Sequence, residues 1–119
     1  MAEGWLSTHV LDTARGMPAA GVAITLYRVS GNGHDRIGGF VTNADGRVVG
    51  ALLTGAAFTV GVYELLFAAG DYLRSSGQAV GKGLFLDQIP IRFGVTDAAA
   101  HYHVPLLISP FAYSTYRGS

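Results

Sequence analysis

The feature that most constrains this chain is its punctuation. Gly, Pro, Asn and Asp recur about every dozen residues, and between them lie short runs rich in Val, Ile, Tyr, Phe and Leu. That spacing predicts an all-β sandwich or barrel. The 17 glycines suit a chain with many turns.

The strands follow from the runs. Trp5 to Asp12 is a first strand whose alternation puts Leu6, Thr8 and Val10 on one face and Trp5, Ser7, His9 and Leu11 on the other. A turn at 13–18 leads to a second strand, Val22 to Val29, with Val22, Ile24 and Leu26 toward the core. Ser30 to Asp35 reads as a loop, and Ile37 to Thr42 as a third strand that Gly38-Gly39 places at an edge. Asn43 to Arg47 is a tight turn, because Asn, Asp and Gly tolerate the backbone it needs. Phe58 to Phe67 is the central strand. Gly70 to Ser76 is one short helix, too short to stand without packing. Ile89 to Val95, Tyr102 to Ile108 and Tyr113 to Arg117 complete the set. Neither an internal repeat nor a linker interrupts the chain, so residues 1–119 form one domain.

Composition narrows the function classes. Half of the residues are hydrophobic and 13% are charged. A chain of this size buries only about two-thirds of its surface alone, so the apolar surplus points to self-association. Net charge is zero and no Lys or Arg run is present, which argues against a nucleic-acid partner. Cysteine is absent, excluding disulfides, Cys-based zinc sites and thiol catalysis. The start lacks the basic and apolar regions of a signal peptide, and the longest apolar tract, Ala56 to Gly70, contains Glu64 and is too short to span a membrane. The expected location is the cytoplasm.

Four polar clusters could carry chemistry: Ser7-Thr8-His9, Arg47, His101-Tyr102-His103, and Ser114 to Ser119. Each has a bland reading as well. A strand His is more often a half-exposed side chain than a catalyst, and an Arg after a turn is normally a solvated charge. His101 and His103, two apart, share one strand face, and with His9 they could form a three-His metal site. No acidic residue flanks them at ligand spacing. A chain end is usually frayed, yet the tail from Tyr113 to Arg117 alternates aromatics with hydroxyls, and disordered segments are poor in aromatics. If these groups converge, they offer a base, an acid and an oxyanion stabiliser.

The motifs also resemble a known family. Leu6 to Ala19 (LSTHVLDTARGMPA), Thr42 to Arg47 (TNADGR), and Phe93-Gly94-Val95 with His101 to Pro110 (HYHVPLLISP) resemble, in order, the three signatures of the transthyretin-like family. The ending Tyr113 to Ser119 (YSTYRGS) is similar to the mark of its 5-hydroxyisourate hydrolase branch. Transthyretin itself, the thyroid-hormone carrier, lacks that ending and lacks His at the positions of His9 and His103. The segment 48–53 departs from the pattern in lacking Pro.

The resemblance implies a β-sandwich of two four-stranded sheets with one short helix, assembled as a homotetramer (a dimer of dimers) with active sites in a central channel. It implies hydrolysis of a cyclic amide in 5-hydroxyisourate to give 2-oxo-4-hydroxy-4-carboxy-5-ureidoimidazoline in urate breakdown, without metal or cofactor. His9, Arg47 and His103 match the catalytic positions. His9, Arg47, Tyr116, Arg117, Gly118 and Ser119 match positions that contact substrate. Which His is base and which is acid stays open, and His101 is a neighbour with a structural or tuning role. The competing readings are a carrier of a small aromatic ligand, a zinc hydrolase built on His9, His101 and His103, and a β-sandwich interaction module.

Overall fold

A computed structural model of the chain describes residues 3–79 and 83–118. Eleven strands, a 3-10 turn and one short helix are assigned among them: β1 Trp5–Ser7, β2 Val10–Asp12, β3 Met17–Pro18, β4 Ala23–Ser30, β5 Gly33–Val41, β6 Leu53–Thr54, the 3-10 turn Gly55–Ala57, β7 Gly61–Ala68, α1 Ala69–Ser75, β8 Gln88–Val95, β9 His101–His103, β10 Leu106–Ile108 and β11 Tyr113–Thr115.

One layer is the sheet β5-β4-β7-β8, antiparallel throughout. The other layer is in two pieces, β6-β1-β9 and β11-β10-β2-β3. β1 runs parallel to β9 and β2 parallel to β10. The expected first strand and the expected strand 102–108 therefore both break, at Thr8-His9 and at Val104-Pro105. Pro105 has no N–H to donate to a ladder, and His9 turns to pair with Arg47. The register survives the break, because the Val104 N–H donates to the Ser7 carbonyl and the Leu106 N–H to the His9 carbonyl, each at 2.9 Å. The two pieces thus act as one layer of four ribbons, and the sandwich predicted from the punctuation is present.

The inner faces follow the alternation. Leu6, Thr8 and Val10 are buried, as are Val22, Ile24 and Leu26 from one neighbour and Tyr63, Leu65 and Phe67 from another. Each fully buried Leu or Ile contributes about 1.5–3 kcal/mol. Two expectations are corrected. Ser30 to Asp35 is not a loop: Ser30 pairs with Gly33, so Gly31-Asn32 is a two-residue hairpin turn and β5 starts at Gly33. The strand expected from Phe58 starts only at Gly61, because residues 59–60 are tied by side chains instead of a ladder. Arg28 Nη2 donates to the Val60 carbonyl (2.8 Å), and the Thr59 N–H donates to the Tyr63 hydroxyl (3.0 Å).

The helix is where expected and owes its place to packing. Ala69, Gly70, Tyr72 and Leu73 are buried. The Tyr72 hydroxyl donates to Asp12 Oδ2 at 2.6 Å and Gln78 Nε2 donates to the same oxygen at 2.8 Å, while the Arg15 N–H donates to Oδ1 at 2.9 Å. Asp12 is thereby buried with its acceptors occupied. This polar knot ties α1 to the end of β2.

Candidate active site

β1 and β9 run in register, with Trp5 opposite His101 and Ser7 opposite His103. Leu6 and Tyr102, between them, are buried, so the four flanking side chains leave the layer on its outer face. Trp5 stacks flat on His101, with ring centroids 3.6 Å apart and an interplanar angle of 2°. The Ser7 hydroxyl lies 2.7 Å from His101 Nε2 and 2.8 Å from His103 Nδ1.

The turn Asn43–Arg47 supplies the cation. Gly46 has φ +74°, and a Cβ there would collide with the Val10 carbonyl, so the turn can press against β2 only with glycine at this position. The Asn43 side-chain oxygen accepts from the Asp45 N–H (2.9 Å) and the Arg47 N–H (3.1 Å). The turn thus holds Arg47 as an antiparallel bridge partner of His9. The His9 Nε2–H donates to the Asp45 carbonyl at 2.9 Å. Neutral His9 therefore carries its proton on Nε2, and Nδ1 is its basic atom.

A cleft of about 480 Å³ lies over this face, lined by Trp5, Ser7, Thr8, Arg47, Val48, Gly50, Ala51, His101 and His103. That volume suits a small organic ligand. Arg47 is exposed, and its guanidinium makes no ion pair with an acid among the described residues. Burial pushes the His103 imidazole below its ordinary value, and Arg47, His101 and His9 push it further the same way. His103 is thus neutral at neutral pH, with Nδ1 committed to Ser7 and Nε2 without a hydrogen-bond partner among the described residues.

Gly118 closes the other side of His103. Its N–H donates to the His103 carbonyl at 2.7 Å, and a Cβ on it would sit 2.5 Å from His103 Cδ2. Tyr116 and Arg117 face elsewhere. They line a separate cavity of about 240 Å³ together with Phe93, Gly94, Tyr102 and Val104. The Arg117 guanidinium lies 4.0 Å over the Tyr102 ring and donates to the His101 carbonyl at 3.4 Å. Among the sequence-predicted residues, the single chain brings Arg47 and His103 to one cleft, with Gly118 against the far side of His103 and His9 paired with Arg47; neither Gly118 nor His9 lines the cleft. It does not bring Tyr116 or Arg117 to that cleft, and Ser119 lies outside the described residues. Among the described residues, no three His, Cys, Asp or Glu side chains are grouped to hold a metal ion.

One contributor, Trp5, is not singled out by the sequence, and Ser7 is singled out there only as part of the cluster Ser7-Thr8-His9. Both share a strand face with His9, but the parallel pairing of β1 with β9 that sets them against His101 and His103 has no local signal.

Fold and cleft together define a transthyretin-type sandwich with a histidine–arginine cleft on one outer face. The chain belongs to the HIUase/Transthyretin family, which residues 6–118 match. It is 60% identical over 116 residues to the 5-hydroxyisourate hydrolase of Mesorhizobium japonicum, covering 98% of this chain and 93% of that one. Among solved structures it is similar to (S)-allantoin synthase, with a TM-score of 0.92 and 50% identity over 99% of this chain; it spans 44% of that protein's length. It is also similar to Klebsiella pneumoniae 5-hydroxyisourate hydrolase, with a TM-score of 0.80 and 35% identity over 97% of this chain and 99% of that one.

Proposed function

We propose that this chain hydrolyses 5-hydroxyisourate in urate breakdown, opening the six-membered ring at a cyclic amide to give 2-oxo-4-hydroxy-4-carboxy-5-ureidoimidazoline. The observation that carries the reading is the pairing, in one cleft, of a neutral imidazole with a guanidinium that has no acidic partner among the described residues. A carrier of an aromatic ligand gains nothing from an acid–base set, and relatives that share half or more of the sequence are named for the hydrolase.

His103 Nε2 takes a proton from water as the water oxygen bonds to the amide carbon. Arg47 faces the carbonyl oxygen as it gains charge. The C–N bond then breaks, and the proton on His103 Nε2 passes to the departing nitrogen. His9, fixed by Asp45, borders the same site and contacts substrate through Nδ1. Gly118 backs the His103 ring, and Tyr116, Arg117 and Ser119 complete the substrate contacts in the assembled protein.

That assembly is a homotetramer. Strands β8 and β11 are sheet edges, and large apolar side chains stand exposed around the sandwich, Val49 at 87%, Phe111 at 76% and Tyr116 at 59%. Light scattering on the purified protein should give four times the chain mass, and a monomer mass would contradict it. A chain without cysteine works well in a reducing compartment, and the cytoplasm is the location proposed. The activity is tested with freshly generated 5-hydroxyisourate, followed by its ultraviolet absorbance. Loss should be faster than the spontaneous reaction, and an equal rate would overturn the reading.

A further inference from the structure

We infer that Ser7 and His101 form a positioning pair that fixes the tautomer of His103 and shares the proton His103 takes up. The inference rests on the hydrolase reading for one point, that His103 Nε2 is the atom that meets water.

The geometry is one hydroxyl between two imidazoles, at 2.7 Å from His101 Nε2 and 2.8 Å from His103 Nδ1. A serine hydroxyl has one proton to donate and two lone pairs to accept. With both rings neutral, Ser7 can accept from both with its own proton turned away, or accept from one ring and donate to the other. Two arrangements use the hydroxyl proton within the pair. In the first, His101 Nε2–H donates to Ser7 and Ser7 donates to His103 Nδ1, which leaves the His103 proton on Nε2 and no base facing the cleft. In the second, His103 Nδ1–H donates to Ser7 and Ser7 donates to His101 Nε2, which leaves His103 Nε2 bare. The second is the competent one.

From that state the pair moves charge as well. When His103 Nε2 takes a proton, the ring becomes a cation carrying hydrogen on both nitrogens. Its Nδ1 proton passes to the Ser7 oxygen while the Ser7 proton passes to His101 Nε2. His103 returns to neutrality with its proton on Nε2, and His101 carries the charge. Two protons shift by one bond each, and none is lost. His101 is suited to that charge because it stacks face to face on Trp5 at 3.6 Å, where the indole face attracts a cation. His103, beside Arg47, is a poor place for it. As the leaving nitrogen takes the Nε2 proton, the two protons return by the same path, so His103 never becomes an anion and the resting state is restored.

The test uses the full-length protein labelled with ¹⁵N at histidine. In the resting protein above the His103 transition, the His103 δ1 nitrogen should read as protonated and ε2 as bare. Ser7→Ala should convert His103 toward the ε2-protonated form that free imidazole side chains favour. It should also lower kcat by about tenfold or more, part of the roughly 10²–10⁴-fold that a positioned acid–base group supplies, while KM changes little. Ser7→Thr, which keeps the hydroxyl, should restore both readings. His101→Phe, which keeps a ring on Trp5 but has no nitrogen, should lower kcat as Ser7→Ala does. An ε2-protonated His103 in the unaltered protein, or an unchanged tautomer and kcat in Ser7→Ala, would overturn the inference while leaving hydrolysis intact. Absence of hydrolysis in the unaltered protein would overturn the functional reading instead, and with it the charge-sharing step, but the tautomer assignment would still be decided by the spectra.

Discussion

Gly118 lies flat against the imidazole of His103, so close that a methyl group in its place would sit 2.5 Å from Cδ2 and 3.1 Å from Cγ. The same glycine donates its N–H to the His103 carbonyl. The segment whose alternation of aromatics and hydroxyls argues against fraying is therefore a support for the ring assigned as the base. Gly118→Ala should displace that ring and lower kcat by about tenfold or more, since misplacement by about 1 Å can cost a hundredfold. Thermal melting should change little. A variant with unaltered kcat would show that the tail does not set the ring.

Arg47 stands on a self-contained turn and is exposed, so its side chain contributes little to folding. Arg47→Ala should lower kcat by about 10²–10³-fold, the usual cost of losing one donor to a developing oxyanion, and leave the denaturation midpoint near that of the unaltered chain. Arg47→Lys should recover only part of the rate, because a point charge lacks the planar fork.

The depressed His103 sets a pH prediction. Neutral His103 is the active form, and burial, then Arg47, His101 and His9, hold its transition below the ordinary 6.5. The acid limb of kcat/KM should therefore fall below pH 6.5. As pH drops through the window between the ordinary and the lowered value, the unfolded chain binds the proton first, so this group also lowers stability there. A pH–rate profile with its acid midpoint above 6.5 would contradict the assignment of His103 as the base.

The Asp12 knot carries stability and not chemistry. Burial opposes its charge, yet the hydrogen bonds from Tyr72, Arg15 and Gln78 hold its carboxyl below the usual range, while burial and Asp12 push the Tyr72 hydroxyl up to about 12. Asp12→Asn should cost about 2–4 kcal/mol in urea unfolding, because it removes a charged acceptor from a buried network, with kcat retained. The Asp12 contribution is present above the ordinary carboxylate value of 3.8 and is lost as pH falls through the lowered one. The Tyr72 contribution is full below 10 and is lost as pH rises toward 12.

How much of this was legible in the residues depends on range. Alternation placed Leu6, Thr8 and Val10 inward and Trp5, Ser7 and His9 outward, and Asn43-Ala44-Asp45-Gly46 announced its turn, since both depend on neighbours in sequence. The breaks at Thr8-His9 and Val104-Pro105 were missed because they arise from a pairing between segments nearly a hundred residues apart. Pro105 hinted at one of them. The Ser30 to Asp35 hairpin reads as a loop in sequence because its polar residues mask a two-residue turn. His9, Arg47 and His103 are proposed as site residues from motif resemblance, and the structure adds what motifs do not carry: which nitrogen of His9 and of His103 is held by a hydrogen bond. The place of Trp5, and the partners of Ser7, become visible only when the parallel register of β1 and β9 sets them against His101 and His103.

The most direct test is the rate of 5-hydroxyisourate loss catalysed by the unaltered protein and by His103→Ala, measured side by side at neutral pH with folding checked by circular dichroism. The unaltered protein should far outpace the spontaneous reaction, and His103→Ala should fall by about 10²–10⁴-fold while folded. Equal rates for the two proteins would contradict the account at its centre.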